Sequence, residues 1–243
     1  MERCTLIPML ALGACTGAAE LRATGPYEGV DNHSHAKLVV ADEAEGEEVG
    51  EGEVGLSCEG GASARVETEV EDGTLVVSGD AAEGCVVVVA PEGLVSLVVR
   101  GDGDVESDEE LVLALEHVDV RGNGEVDLGA VAAETLAIEA GGNGEVRVGA
   151  LDTASLDLDL RGNGDVALAG AATYAHLAIS GGGWFDGSQL VVETLDAELS
   201  GSGGATVNVT GTVSADVGAE ASLEVTGGAT VEAPGGGTVT TTL

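Results

Sequence analysis

Apolar and polar residues alternate in short runs through the second half of the chain, and glycines separate the runs. In residues 141–160 (GGNGEVRVGALDTASLDLDL) the aliphatic residues stand at positions 146, 148, 151, 156, 158 and 160. Alternation with a period of two predicts β-strands, and the glycines and small residues between the runs predict corners. The segment therefore predicts a coil with three short faces.

The same pattern recurs about every twenty residues. The phrases RGDGDV, RGNGEV, GGNGEV, RGNGDV, SGGGWF and SGSGGA begin at Arg100, Arg121, Gly141, Arg161, Ser180 and Ser200. A steady period of this length indicates one structural unit stacked on copies of itself. The fold class is therefore predicted as all-β: a parallel β-helix of about 20-residue coils over residues 100–243. Residues 27–99 are expected to form its N-terminal strand and hairpin region, so that 27–243 is one continuous domain.

Strand-like segments precede the repeats. They cover residues 37–40, 54–58, 65–70, 74–78 and 85–90. Asp72 and Gly73 supply a turn that predicts a β-hairpin between the third and fourth of these segments. The acidic and glycine-rich run EAEGEEVGEGE, residues 43–53, is expected to be a mobile loop.

The N-terminus has the form of an export signal. MERCTLIPMLALGAC carries an early Arg, an apolar run too short to span a bilayer, and small residues before a cysteine. Leu12 to Cys15 (LGAC) resembles the lipobox of bacterial lipoproteins, which implies a signal peptide over 1–14 and acylation of Cys15. In that class Thr16, rather than Asp, implies the outer membrane of double-membraned bacteria. The alternatives are an ordinary secretory signal cut near Ala14 and a chance apolar start.

The segment behind the cysteine, residues 15–26, is small and polar and is predicted to be a tether. The expected location is therefore outside the cytoplasm, lipid-anchored at the outer membrane or cell surface. Two cysteines remain in the exported chain, Cys58 and Cys85. An oxidising compartment favours a disulfide between them, closing a loop of roughly 28 residues and contributing about 3 kcal/mol in the chain-entropy model. Two free thiols are the alternative.

Charge limits the partners. The chain has 44 Asp and Glu against 8 Lys and Arg, a formal charge of -36. Nucleic acids and anionic lipid headgroups would be repelled, so we predict no nucleic-acid partner and membrane contact only through the lipid anchor. The charge fits either a solvated acidic surface or a cation-binding one.

The repeat aligns side chains of one type. Asn123, Asn143 and Asn163 each precede a glycine at matching positions, so their amides are predicted to form a ladder at a tight turn, where both residue types tolerate positive φ. The alternative is three independent Asn-Gly turns. One outward column is predicted to hold Asp119, Glu139, Asp159 and Glu198, and a second to hold Asp104, Glu125, Glu145 and Asp165. Strands about 4.8 Å apart bring such carboxylates close enough to repel. Calcium or salt would screen them, and hydrated carboxylates without a bound ion are the alternative; no other cofactor is predicted.

Four phrases carry a family resemblance. RGNGEVDL, GGNGEVRV, RGNGDVAL and SGSGGATV resemble the repeats of the "putative auto-transporter adhesin, head GIN domain" family. The resemblance covers roughly residues 27–240 and implies a right-handed β-helix. The early repeats carry Asp or Asn where the family usually has Ser. The family supplies no catalytic or binding motif to transfer.

One aromatic residue breaks the pattern. Trp184 takes the outward position of Asp165, whereas Phe185 takes the inward position of Val166. An exposed Trp can contact a sugar or a protein, and the alternative is a ring that covers a glycine-rich corner. Because coil length varies so little, no long loops are available to wall a catalytic cleft, and no enzymatic activity is predicted.

The predicted function is non-catalytic adhesion or interaction at the cell surface, with an unidentified protein or glycan surface as partner. The alternative is a calcium-dependent polysaccharide-binding or polysaccharide-lyase-like protein, since lyases of that kind use β-helices with calcium-binding acids.

Overall fold

The computed structural model describes residues 19–58, 66–79 and 84–242. These residues form an all-β solenoid of about seven turns, each of roughly 20 residues. The parallel β-helix predicted from the repeat is confirmed. None of the described residues belongs to a helix long and apolar enough to cross a membrane.

Five long strands form the regular part of the stack, and each one runs around a whole coil. They are β14 (Glu125–Ala140), β15 (Glu145–Leu160), β16 (Val166–Ile179), β17 (Trp184–Leu199) and β18 (Gly204–Val217). Each pairs in parallel with the next, and equivalent repeat positions are aligned, such as Val126 with Val146 and Val146 with Val166. The inward aliphatic residues are buried in one continuous core. Stacking therefore gives every coil the apolar contacts and ladder hydrogen bonds that it could not make alone.

Shorter strands form the coils on either side. On the N-terminal side these are β10 (Ser96–Val99), β11 (Val105–Ser107), β12 (Val112–Leu113) and β13 (His117–Val120). On the C-terminal side they are β19 (Ser222–Thr226), β20 (Thr230–Glu232) and β21 (Thr238–Thr241). β13 continues one face of the stack below β14, and β19 and β20 continue two faces above β18.

The first coils are not stacked in chain order. The strands concerned are β2 (Gly29–Asn32), β3 (Lys37–Val40), β8 (Thr74–Ser78) and β9 (Cys85–Val89). β2 lies between β8 and β10, and β3 lies between β9 and β11, all in parallel. The later β8–β9 segment is therefore the outermost coil, and the earlier β2–β3 segment is inserted above it. Parallel coils thus begin before residue 100, where the glycine phrases first appear.

Antiparallel strands close the outer edge of that terminal coil. They are β1 (Glu20–Ala23), β6 (Glu53–Cys58) and β7 (Glu67–Glu71). β7 pairs with β8 through the predicted turn, where Asp72 and Gly73 have positive φ angles of 49° and 80°. β6 pairs with β9, and β1 pairs with β6. Residues 20–23, which composition placed in the tether, instead form a strand because β6 offers them an open edge.

The segment expected to be a mobile loop is also ordered. β4 (Glu43–Ala44) and β5 (Glu47–Glu48) form a small hairpin, with Glu45 and Gly46 in its turn at positive φ. Ala44 and Val49 are buried against valines and alanines of the neighbouring strands. The prediction of a mobile loop was wrong because these two apolar residues, spaced through an acidic run, are sufficient to dock it.

A disulfide joins Cys58 to Cys85, the residues paired across β6 and β9, with a Cα–Cα distance of 4.1 Å. It links the antiparallel strand to the terminal coil, as the sequence predicts for an exported chain. The predicted signal peptide and Cys15 lie outside the described residues.

Candidate functional site

The asparagine ladder runs along the corner that precedes each coil's first face. Asn143 Nδ2 donates to Asn123 Oδ1 at 2.9 Å, and Asn163 Nδ2 donates to Asn143 Oδ1 at 3.3 Å. At the lower end Asn123 Nδ2 donates to Asp102 Oδ1 at 2.6 Å. The ladder is therefore present as predicted, and it extends one coil further through Asp102.

The glycines around the ladder are required by close packing. A Cβ on Gly142 would overlap the carbonyl oxygen of Gly122, and one on Gly162 would overlap that of Gly142. None of these three residues has a positive φ angle, and neither do Gly124, Gly144 and Gly164, which directly follow the asparagines. Their role therefore differs from the conformational freedom suggested by an Asn-Gly turn: they let successive corners stack at strand spacing.

The first acid column is aligned as predicted on the third face of the coils. In register order it contains Asp119, Glu139, Asp159, Ala178, Glu198 and Asp216. We refer to these six positions as the acid column. Ala178 interrupts the run of carboxylates, which leaves Glu198 and Asp216 as a pair on neighbouring strands.

Arginines neutralise the lower part of the acid column. Arg121 Nη2 lies 2.6 Å from Asp119 Oδ2 and 3.9 Å from Glu139 Oε2. The Asp119 side chain is only 4% exposed, so this contact pairs a buried carboxylate. Arg161 Nε donates to Asp159 Oδ1 at 2.9 Å. This hydrogen bond and the charge of Asp159 raise the pKa of Arg161 above its ordinary value, which keeps it cationic.

The upper part of the acid column has no such compensation. Residues 162–243 contain nine Asp or Glu and no Lys or Arg. Glu198 and Asp216 line a shallow depression together with Ser180, Ser200 and the Asp159–Arg161 pair, but neither of the two acids forms an ion pair among the described side chains. Among the residues that the structure describes, no three His, Cys, Asp or Glu side chains are placed to hold a metal ion together. Calcium binding at the acid column remains a prediction.

The second column of acids lies across the corner, at the start of the first face. Arg147 forms ion pairs with Glu125 and with Glu145, the latter at 2.7 Å. The other two acids accept hydrogen bonds from the backbone of the coil above: Asp104 Oδ1 from the Glu125 amide at 2.9 Å, and Asp165 Oδ1 from the Trp184 amide at 2.8 Å. These carboxylates therefore connect adjacent coils.

Trp184 ends this column and points outward. It is 40% exposed, whereas Phe185 is buried in the core as predicted. A Cβ on Gly204 would overlap Trp184 Cζ3, so the indole occupies the space above that glycine. Both roles considered for Trp184 from the sequence are therefore present: the ring covers the glycine-rich corner at Gly204, and it still exposes a surface that a ligand can contact. Such a surface can stack on a sugar or anchor a protein.

Most of the described chain matches one known protein family. A family model described as "Putative auto-transporter adhesin, head GIN domain" matches residues 50–229. The chain belongs to this family. The match runs from the antiparallel strands through the repeats, so it includes both acid columns and Trp184. No curated protein matches this head GIN domain chain.

Solved structures share the fold. A putative adhesin from Parabacteroides distasonis has a TM-score of 0.77 at 20% identity, covering 92% of this chain and 96% of its own. A putative adhesin from Bacteroides fragilis has a TM-score of 0.66, also at 20% identity and with the same coverage. A putative lipid-binding protein from P. distasonis has a TM-score of 0.73 at 15% identity, covering 94% of this chain and 98% of its own. At sequence identities of 15–20%, the similarity between these structures and this head GIN domain shows a shared fold and nothing about function.

Sequence reasoning missed two acids of this head GIN domain. Asp216 joins the acid column although it lies fewer than twenty residues after Glu198, because β17 and β18 pair with register shifts that a fixed period cannot follow. Asp31, from the inserted β2 coil, accepts a hydrogen bond from Arg100 Nε at 3.0 Å. The spacing of the repeats could not predict the contact between Asp31 and Arg100, because this contact depends on the order in which the coils stack.

Proposed function

We propose that this head GIN domain is a non-catalytic adhesion module of an exported lipoprotein, anchored through Cys15 at the outer membrane or cell surface. The family is described as an adhesin family, and two proteins of similar structure are putative adhesins. The lipobox-like residues 12–15 supply the route to the surface.

The exposed indole of Trp184 is the single observation that carries the proposal. It stands on a wall of the solenoid in the half of the repeats that has no Lys or Arg. Aromatic residues with a large accessible surface act as anchors in interfaces, because they bury much apolar area and lose little side-chain entropy. The partner is a protein or glycan surface that contacts Trp184 and tolerates the carboxylates beside it.

The shape of the wall supports a role without catalysis. Consecutive coils differ little in length, so the outward side chains form a nearly flat ladder in place of a walled cleft. Catalysis of group transfer generally needs a pocket that excludes water and holds reacting groups together. A rigid, flat and repetitive face is better suited to extended binding.

Calcium-dependent glycan binding is the second candidate. Glu198 and Asp216 are neighbours without a basic partner among the described side chains, and the Trp184 indole lies on the same pair of coils. Carboxylate oxygens are the ligands that Ca²⁺ prefers, and an indole face stacks on sugar rings. In this version the ion neutralises the paired acids where the glycan binds.

Binding measured on Trp184 variants tests both candidates. We expect the full-length chain to bind a panel of matrix proteins or a glycan array, and Trp184→Ala to weaken that binding at least tenfold. Tyr174→Ala is the matched control, because Tyr174 is similarly exposed at 38% on another column and its loss should leave binding unchanged.

The outcomes separate the candidates. Glycan binding that EDTA abolishes would favour the calcium-dependent version, whereas EDTA-resistant binding to a protein favours the adhesion module. A Trp184→Ala variant that unfolds, or one that binds as well as the parent chain, would contradict the role proposed for Trp184.

A further inference from the structure

A second apolar cluster lies outside the solenoid core, at the N-terminal end of the stack. Val39 on β3 and Val88 on β9 are register partners that point outward. The equivalent outward position in the next three coils is occupied by Glu106, Asp127 and Arg147. Outward valines are therefore an exception to the polar surface of this face, and another part of the molecule must shield them from water.

The β4–β5 hairpin shields them incompletely. Ala44 packs on the cluster, and Ser57 Oγ donates to Glu45 Oε1 at 2.8 Å, which ties the hairpin turn to β6. A cavity of about 190 Å³ remains between the hairpin and the sheet. Its apolar lining consists of Val39, Ala41, Ala44, Gly55, Val86 and Val88. A cavity of this size has room for one aliphatic or aromatic side chain, since about 150 Å³ is enough to bind benzene.

Carboxylates surround this apolar floor. Asp42, Glu43 and Glu45 on the hairpin side and Asp108 after β11 line the cavity, and no described lining residue is basic. Lys37, on the same strand as Val39, is paired with Glu106 at 2.6 Å. An anionic ligand, such as a fatty acid, would be repelled, and a ligand that is both apolar and cationic would be attracted.

We propose that this cavity binds one apolar side chain of a basic peptide segment in a partner protein. The carboxylates stand on two separate segments, at residues 42–45 and at residue 108, so their neutralisation requires several positive charges spaced around one apolar group. A peptide with an apolar residue between lysines or arginines supplies that arrangement, whereas a simple amine supplies only one charge. This goes beyond the function proposed above and does not depend on it.

The cavity and the Trp184 wall are separate sites. Val39 and Asp186 lie in the same outward column, five strands apart. Asp186 is two residues from Trp184 on β17, so it marks the position of the indole. At a strand spacing of about 4.8 Å this separation of the strands corresponds to roughly 24 Å. A ligand in the cavity can therefore be displaced without affecting Trp184.

The probe is the peptide acetyl-Lys-Arg-Leu-Lys-Arg-amide, titrated into the ¹⁵N-labelled full-length chain. We expect amide shifts confined to residues 39–45, 55–57 and 86–88 and to Asp108. A peptide with Ser in place of Leu should bind at least tenfold more weakly, and one with Glu in place of each basic residue should not bind. Hexylammonium should also bind at least tenfold more weakly than the leucine peptide.

Two pairs of variants locate the site. Asp42→Asn with Glu43→Gln should lower affinity about four- to twentyfold at low salt, whereas Glu47→Gln with Glu48→Gln, on the same hairpin but outside the lining, should change it less than twofold. Val86→Lys should abolish binding, and the same change at exposed Val191 should not.

Several results would overturn the proposal. These are an absence of shifts at millimolar peptide, equal binding of the acidic peptide, equal binding of hexylammonium, and an equal loss in the Glu47/Glu48 control. Because the carboxylate variants alter only the rim and leave the apolar packing intact, they remain informative even if Val86→Lys does not fold.

Discussion

The coils up to Arg161 and the coils after it share the same backbone architecture but differ in whether their acidic side chains are paired with arginines. In the earlier coils Arg100, Arg121 and Arg161 each stand just after a strand and pair with Asp31, Asp119 and Asp159. The later coils have acids at the equivalent column positions and no Lys or Arg at all. The β-helix therefore does not need ion pairs to stack. Its ladder and core suffice, and the arginines matter where a carboxylate is buried.

The corners differ in the same direction. The earlier coils carry Asn123, Asn143 and Asn163 in a hydrogen-bonded ladder, and the later coils carry Gly182 and Ser202 at the equivalent position. Removal of side chains in the earlier half should therefore cost more than matched removal in the later half or at more exposed sites. Three measurements test this, in order of decreasing effect.

Arg121→Leu should produce the largest loss of stability. It leaves the buried Asp119 carboxylate without its cation, which we expect to cost about 2–3 kcal/mol, less than the roughly 3–5 kcal/mol for fully buried pairs because Arg121 itself is half exposed. Urea unfolding at low salt measures the change. Arg161→Leu should matter far less, since Asp159 is more exposed and remains hydrated. Equal losses in the two variants would show that burial of the acid is not the deciding factor.

The stability of the protein at alkaline pH should depend on Tyr27, the buried tyrosine of the earlier half. Burial, helped by the charge of Glu92, raises the pKa of Tyr27 to about 12, while a backbone hydrogen bond at Ala90 opposes the shift. In the unfolded chain Tyr27 ionises near pH 10, so the stability that its neutral, buried form contributes is fully present below that pH. It should fall by roughly 2–3 kcal/mol as the pH rises from 10 to 12.

Urea unfolding between pH 9 and pH 12 checks this step. Tyr27→Phe should remove it, and Tyr174→Phe should retain it because Tyr174 is exposed. A parent chain whose stability is flat across this range, or a step that disappears in Tyr174→Phe, would contradict the assignment to Tyr27.

Asn143→Ala should produce the smallest effect of the three. It removes one hydrogen bond donated to Asn123 and one accepted from Asn163, both exposed, and should cost about 1 kcal/mol. Ser202→Ala, at the same corner position in the later half, should stay within about 0.5 kcal/mol. Thermal unfolding of both variants decides the point, and a serine variant as destabilised as the asparagine variant would remove the distinction between the halves.

Local spacing in the sequence was sufficient for the repeated part of this protein. A period near twenty and alternation by two predict the coils, the inward aliphatic residues, the asparagine ladder and the alignment of Asp119, Glu139, Asp159 and Glu198. These features depend only on the alignment of each coil with a similar neighbouring coil, and the period of the repeat specifies that alignment. The Asp72-Gly73 hairpin and the cysteine pair also follow from short-range or compositional rules.

The arrangement of the N-terminal end and the exceptions to the twenty-residue period depend on long-range contacts. Insertion of the β2–β3 coil between β8–β9 and β10–β11 depends on pairings between segments more than forty residues apart, for which local alternation contains no information. The same insertion creates the Asp31–Arg100 contact and pairs Val39 with Val88 beneath the acidic hairpin, while the open edge of β6 decides the strand at residues 20–23. Register shifts in the upper coils bring Asp216 beside Glu198. The repeating coil and its buried side chains can therefore be predicted from local sequence patterns. The surfaces that remain open for binding depend on the order in which the coils stack, which only long-range pairing sets.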